Sequence, residues 1–254
     1  MLDEMKPIYK QIHGFMQEER DQLQADESNY FALVFGEISK YYEYLSIVWP
    51  RYRDISKVYV EEARKATAHR MTEPSGVGPL TEYELQELEL SRERQTLLHF
   101  ELESIFIFSS ILLDRIAAAT QYYFGQSSGQ WRSFETMMKY FEGYCQNKGL
   151  PAPSPEMLKA IRWLHKNVSE FRHLLVIHKH ENDYRVRLSY GTGYSNDEDD
   201  EAYFNLGLMY PQGSEEPVVS EKPQNILSKL NIFIELWLTY LKANQTKRNL
   251  SPNA

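Results

Sequence analysis

From Leu98 to Tyr123 the chain places apolar or small residues at alternating intervals of four and three: Leu98, Leu102, Ile105, Ser109, Leu112, Ile116, Ala119 and Tyr123. That alternation is the signature of one buried face of an α-helix, and no strand, with its period of two, can satisfy it. Thr81 followed by Glu84 forms a capping box that predicts the start of this helix, and Gly125 a natural stop after Phe124. Between Ile105 and Ala119 the helix is apolar nearly all round. Such a helix needs neighbours on several sides, which predicts the central member of a helical bundle.

Helical periodicity continues on both sides. One helix is expected at roughly 4–25 and a second from a cap at Ser28-Asn29 to about Trp49. There Pro50 should break or kink it, because proline lacks the N–H and collides with the preceding turn. Residues 51–70 read as helix again, with Arg51, Arg53, Lys57, Arg64, Lys65 and Arg70 against Asp54, Glu61 and Glu62, most simply a solvated face. Glu73 to Pro79 reads as a linker. Trp131 to about Asn147 predicts a helix ended by Lys148-Gly149. Ser154 with Pro155 behind it predicts the start of the next, where a missing N–H costs nothing. That helix carries Met157, Ile161, Leu164, Val168, Phe171, Leu175 and His178 on one stripe.

Tyr184 to Tyr190 alternates like a half-buried strand. After the acidic run Asn196–Glu201, Ala202–Tyr210 reads as a second strand. A hairpin at about 184–210 is expected, then loop over Pro211–Pro223. A last helix, Gln224 to about Lys242, would pack through Ile226, Leu230, Phe233, Trp237 and Leu241, with 244–254 a frayed tail. The domain expectation is an N-terminal helical segment at 1–72, a linker at 73–80 and a helical bundle with its hairpin at 81–243.

With 254 residues the chain can bury roughly 70% of its unfolded surface without covalent staples. Its single cysteine, Cys145, excludes an intrachain disulfide and cysteine-built zinc sites. The N-terminus lacks the basic and apolar regions of a signal peptide. The longest apolar run, Ile105–Leu113, falls short of the ~20 residues of a membrane span. A cytoplasmic, membrane-free protein is therefore expected. Net charge is −8. Non-specific nucleic-acid binding depends on Lys and Arg neutralising phosphates, so the chain is a poor general nucleic-acid coat, although a local basic site is compatible with this charge.

The segment richest in chemistry is Glu170-Phe171-Arg172-His173-Leu174-Leu175-Val176-Ile177-His178-Lys179-His180. Arg172, a polar residue directly after it, and His178 six positions beyond resemble the hallmark of the HEPN superfamily. The order of an apolar helix with Leu112-Leu113-Asp114-Arg115, a Trp131 helix and then the motif helix is similar too. The resemblance covers about residues 81–243. It implies a mostly α, up-down helical bundle in which the hairpin is an insertion.

In catalytic members the resemblance implies metal-independent RNA cleavage. His178 would move a proton at the 2′-hydroxyl or the leaving oxygen, its imidazole titrating near neutrality. Arg172 would hold the scissile phosphate, with His173 beside it. The product would be a 2′,3′-cyclic phosphate. On an ideal helix, residues six apart lie ~9 Å apart along the axis and ~120° apart around it. Arg172 and His178 converge only if the helix loosens near Ile177, or if two chains share a cleft. The resemblance therefore implies a homodimer, an RNA substrate and, for a toxin or defence effector, a protein partner such as an antitoxin.

Asp114, in an otherwise apolar turn with Ser110, is the expected partner of Arg172, because a buried carboxylate is costly unless paired. That pair has two readings, support for the catalytic arginine or an ion pair that only fixes helix register. His178 likewise reads as a base or as a satisfied core histidine on the apolar stripe. Two further functions compete with the nuclease. One is a non-catalytic HEPN-like module for dimerisation or for binding a ligand or partner. The other is a metal-dependent hydrolase using His165, His173, His178 or His180. No His-Glu-x-x-His spacing, Walker loop or Gly-x-Ser-x-Gly is present, so neither metal nor cofactor is expected.

Overall fold

The structure is a computed structural model and describes residues 5–72, 82–126, 131, 133–169, 185–191, 203–209, 215–219 and 223–250. It is mostly helical. The helices are α1 (Lys6–Arg20), α2 (Ala25–Thr72), α3 (Glu82–Phe124), α4 (Phe134–Asn147) and α5 (Pro155–Leu164), followed by a π-helical turn (His165–Ser169), and then α6 (Pro223–Ala243) with a 3₁₀ turn (Gln245–Lys247). Strands β1 (Arg185–Gly191), β2 (Tyr203–Met209) and β3 (Glu215–Val219) form an antiparallel sheet in the order β1-β2-β3. The linker at 73–80 and the Thr81 cap lie outside the described residues.

The described residues fall into two compact units. One draws on the ranges Met1–Ile47, Phe106–Asn182 and Pro223–Ala254, the other on Val48–Ile105 and Asp183–Lys222.

The first unit is an aromatic-rich helical core. The expected stripe of α3 is buried throughout. Phe35 stacks on Trp237 at 5.8 Å, and Phe15 sits 5.6 Å from Phe35 and 6.0 Å from Tyr123. On α6, Ile226, Leu230, Phe233, Trp237 and Leu241 are all fully buried. The Trp237 indole donates to the Thr120 hydroxyl at 2.9 Å, which satisfies a polar group that burial would otherwise leave costly. In the second unit, Trp49 stacks on Tyr52 at 5.7 Å, Arg51 meets Glu101 at 2.6 Å, and Arg94 pairs with Glu62.

Several boundaries differ from the sequence expectation, each for a visible reason. α2 begins at Ala25, because the Ser28 N–H already bonds Gln24 O and its hydroxyl accepts from Arg20 Nε at 3.1 Å rather than capping. Pro50 does not end α2. It removes the donor for the Ser46 carbonyl, a defect costing ~3 kcal/mol, which burial of Leu45, Val48, Trp49 and Tyr52 on the same helix offsets. α4 begins at Phe134 instead of Trp131. Ser133 caps it, accepting from Thr136 N at 3.3 Å, while the Trp131 N–H donates to the Gln121 side chain.

Residues 215–219, expected as loop, pair with β2 on the sheet edge. Pro217 stands opposite Gly207 there, and an edge strand tolerates a residue that cannot donate. The expected frayed tail is held over 244–250: the Asn249 N–H bonds Tyr123 O at 2.9 Å, and Arg248 reaches Glu19. Finally, the stretch Arg92–Phe124 of α3 is long and apolar enough, by length and composition alone, to cross a membrane, and half of its apolar window is buried in the fold. The run Ile105–Leu113, interrupted by Ser109 and Ser110, understates this helix.

Candidate functional site

Ser154 has extended backbone and accepts from the Met157 N–H at 3.1 Å, so α5 starts where its sequence places it. Met157, Ile161 and Leu164 face the core. α5 packs on α6, and α4 packs against the turn that follows α5. At His165 the α-geometry gives way to a π-helical turn through Ser169. Val168 stays on the buried stripe, and the Asn167 side chain donates back to Trp163 O at 2.9 Å. Among the described residues the Ser169 hydroxyl is buried without a hydrogen-bond partner. π-turns inside helices are uncommon and often accompany functional sites.

Arg172, His173 and His178 begin three residues beyond this turn and lie outside the described residues, as does His180. Asp114 is described. It is half-buried on α3, and its Oδ1 accepts from the Phe134 N–H at 2.8 Å, the first residue of α4. A carboxylate there satisfies an orphan amide and complements the positive end of the helix. Asp114 therefore anchors the start of the helix against which the π-turn packs. Among the described residues no three His, Cys, Asp or Glu side chains come together as metal ligands.

Two buried carboxylates were not singled out from sequence. Glu19 is 1% exposed and accepts from Tyr123 Oη and Gln245 Nε2, both at 2.9 Å, and from Arg248 Nη1 at 2.5 Å. Burial, with the Glu19 charge second, pushes the Tyr123 phenol well above its ordinary range. Glu101 is fully buried. Desolvation raises its carboxyl above the usual glutamate value, and the Arg51 charge works against that rise. A signal existed for both: Glu19 continues the α1 stripe Ile8, Ile12, Phe15, and Glu101 falls among Leu98, Leu102 and Ile105. A fourth buried group, the Cys145 thiol, is pushed up by burial while the Tyr240 hydroxyl lies 3.2 Å from its sulfur.

No family model, no curated protein and no solved structure matches this chain.

Proposed function

We propose that this chain is a HEPN-like protein in which Arg172 and His178 carry out metal-independent endoribonucleolytic cleavage. The observation that carries this reading is the Arg172-His173-(four residues)-His178 motif, which begins three residues after an α-helix that loosens into a π-turn at His165–Ser169. The π-turn precedes Arg172; the two side chains meet if the helix loosens again near Ile177 or if two chains share a cleft.

In this mechanism His178 accepts the proton of a ribose 2′-hydroxyl, and the 2′-oxygen attacks phosphorus. The bond to the 5′-oxygen breaks as that oxygen takes a proton from water, giving a 2′,3′-cyclic phosphate and a 5′-hydroxyl, and His178 returns its proton to solvent. Arg172 neutralises the charge gathering on the phosphoryl oxygens. His173 lines the same site, and Asp114 supports it through the start of α4. The reading includes an up-down HEPN-like bundle over 81–243 with a hairpin at about 184–210, a homodimer, a cytoplasmic setting and, for a toxin or defence role, a protein antitoxin.

The test is RNA cleavage in EDTA by wild type, His178→Ala and Arg172→Ala. Loss of cleavage in both variants, with cyclic-phosphate ends in the wild type, supports the proposal. Undiminished cleavage in both, or none by any of the three, removes it. A net charge of −8 favours a second reading, a non-catalytic HEPN-like module that dimerises or binds a partner. An inactive wild type that still binds a partner would select it.

A further inference from the structure

Outside the core-facing side of α2, the residues Tyr30, Leu33, Glu37, Lys40, Tyr44 and Ile47 recur at intervals of three and four and form one stripe. It is unusually apolar for an outward face. Leu33 is 69% exposed, Ile47 51% and Tyr44 37%. The opposite side of the same helix carries Phe31, Phe35, Ile38, Tyr42 and Leu45, all fully buried, so Leu33, Tyr44 and Ile47 are not needed for the core, while Tyr30 at the end of the stripe also rests on Tyr122 of α3 at 5.3 Å. Tyr44 is flanked by Phe108 of α3 at 5.3 Å, which widens the apolar surface. Two charges sit in its middle, Glu37 and Lys40, held to each other at 2.5 Å. Arg115 of α3 lies 3.8 Å from Glu37.

An interval of three and four is the seam pattern of paired helices. The charge order on this stripe is also self-complementary. A two-fold axis between Glu37 and Lys40, with a second α2 running antiparallel, sets Glu37 opposite Lys40, Leu33 opposite Tyr44 and Tyr30 opposite Ile47, each pair occurring twice. Opposite charges meet at the centre and apolar residues meet on both sides, which is what an isologous interface requires. The neighbouring seam registers are worse. One heptad along, Lys40 falls opposite Tyr44 and Glu37 opposite Ile47, so both charges lose their counterparts across the seam.

We propose that this outer face of α2 is a homodimer interface, formed by antiparallel self-pairing about a two-fold axis between Glu37 and Lys40. The surface is built on α2, not on the Arg172–His178 segment, and its test reads oligomeric state, not cleavage. A monomeric chain would remove the homodimer from both readings, while loss of cleavage in the motif variants bears on the nuclease alone.

The decisive experiment is a charge swap on the full chain, followed by analytical ultracentrifugation. Glu37→Lys places like charges opposite each other, and Lys40→Glu does the same. Each should weaken dimerisation at least about tenfold. The double variant Glu37→Lys/Lys40→Glu restores the pairing and should return the dissociation constant to within about threefold of wild type. Register is read by cysteine pairs. Leu33→Cys/Tyr44→Cys should form an interchain disulfide, while Leu33→Cys alone should not. Within one chain these positions are ~16 Å apart along the helix, too far for a bond. Unchanged helical circular dichroism shows that the variants fold. A monomeric wild type at its highest soluble concentration, a double swap that fails to restore the dimer, or equal crosslinking by Leu33→Cys alone overturns the proposal. So does a monomer that instead partitions onto lipid vesicles through this face.

Discussion

Tyr123 at the end of α3 donates its hydroxyl proton to Glu19 on α1 across 2.9 Å, joining residues 104 positions apart. Both side chains are buried. Around this bond gather Gln245 and Arg248, so the C-terminal segment closes on the first helix of the same unit. Lys242 adds an exposed ion pair to Glu18 at 2.7 Å, which contributes little by itself. The C-terminal segment after α6 is therefore part of the core's polar satisfaction.

Removing one partner of a buried charge is costly because the other remains desolvated. Arg248→Ala should lower unfolding stability by roughly 2 kcal/mol, moderated by the Tyr123 and Gln245 bonds that stay. Truncation after Ala243 should cost more. Chemical denaturation checks both, and a truncated chain as stable as wild type would show that the clasp contributes nothing.

Gly125 has φ +84, and a Cβ built there would lie 2.9 Å from Asn249 Nδ2 and 3.2 Å from its carbonyl oxygen. Left-handed backbone and crowding act in the same direction. Gly125→Ala should destabilise by about 1–3 kcal/mol and loosen the bond from the Asn249 N–H to Tyr123 O. Thermal melts and amide exchange at Asn249 measure it. An unchanged melting temperature would contradict the stated geometry.

Burial holds the Glu101 carboxyl above its ordinary value of 4.5. Between that value and the raised one, the folded chain keeps a proton that the unfolded chain has released. Stability from this group therefore falls as pH rises through that window. Glu101→Gln should gain in melting temperature relative to wild type as pH rises above 4.5. Arg51→Ala, which removes the counter-charge, should cost about 1–2 kcal/mol at neutral pH. A difference between wild type and Glu101→Gln that is flat across this range would rule out the shift.

Tyr240 donates its one hydroxyl proton to Pro151 O at 2.7 Å and lies 3.2 Å from the Cys145 sulfur, and burial keeps that thiol protonated. Cys145 should react with a thiol reagent only through local opening. Tyr240→Phe should cost about 1 kcal/mol and raise the labelling rate severalfold. Labelling of the native protein as fast as that of the unfolded chain would be the contrary result.

Much of the helical layout was readable because it depends on local spacing. The α3 stripe, the Ser154 cap and the Gly125 stop each involve residues within a few turns of one another. Where sequence reasoning failed, distant neighbours decided. Pro50 looked like a helix breaker, and it is one in isolation, but the buried aromatic residues beside it hold α2 together. Trp131 looked like the start of a helix, but Gln121, ten residues upstream, captures its N–H. Of the candidate site, only Asp114 falls within the described residues. Its bond to Phe134 N could not be read from sequence, since it joins residues from different helices.

The sequence by itself determined which segments are helical and which of their faces turn inward, because an apolar period of 3.6 is written in consecutive residues and needs no partner to be recognised. Only the tertiary structure decided which charges are buried and what they meet: Glu19 is satisfied by Tyr123, Gln245 and Arg248, while Glu101 has the charge of Arg51 beside it but, among the described residues, no hydrogen bond to either oxygen. It also decided that the helix before the motif passes into a π-turn. A carboxylate's neighbours come from remote parts of the chain, and the cost of burying it is fixed by those neighbours, so its role emerges only when the helices are packed.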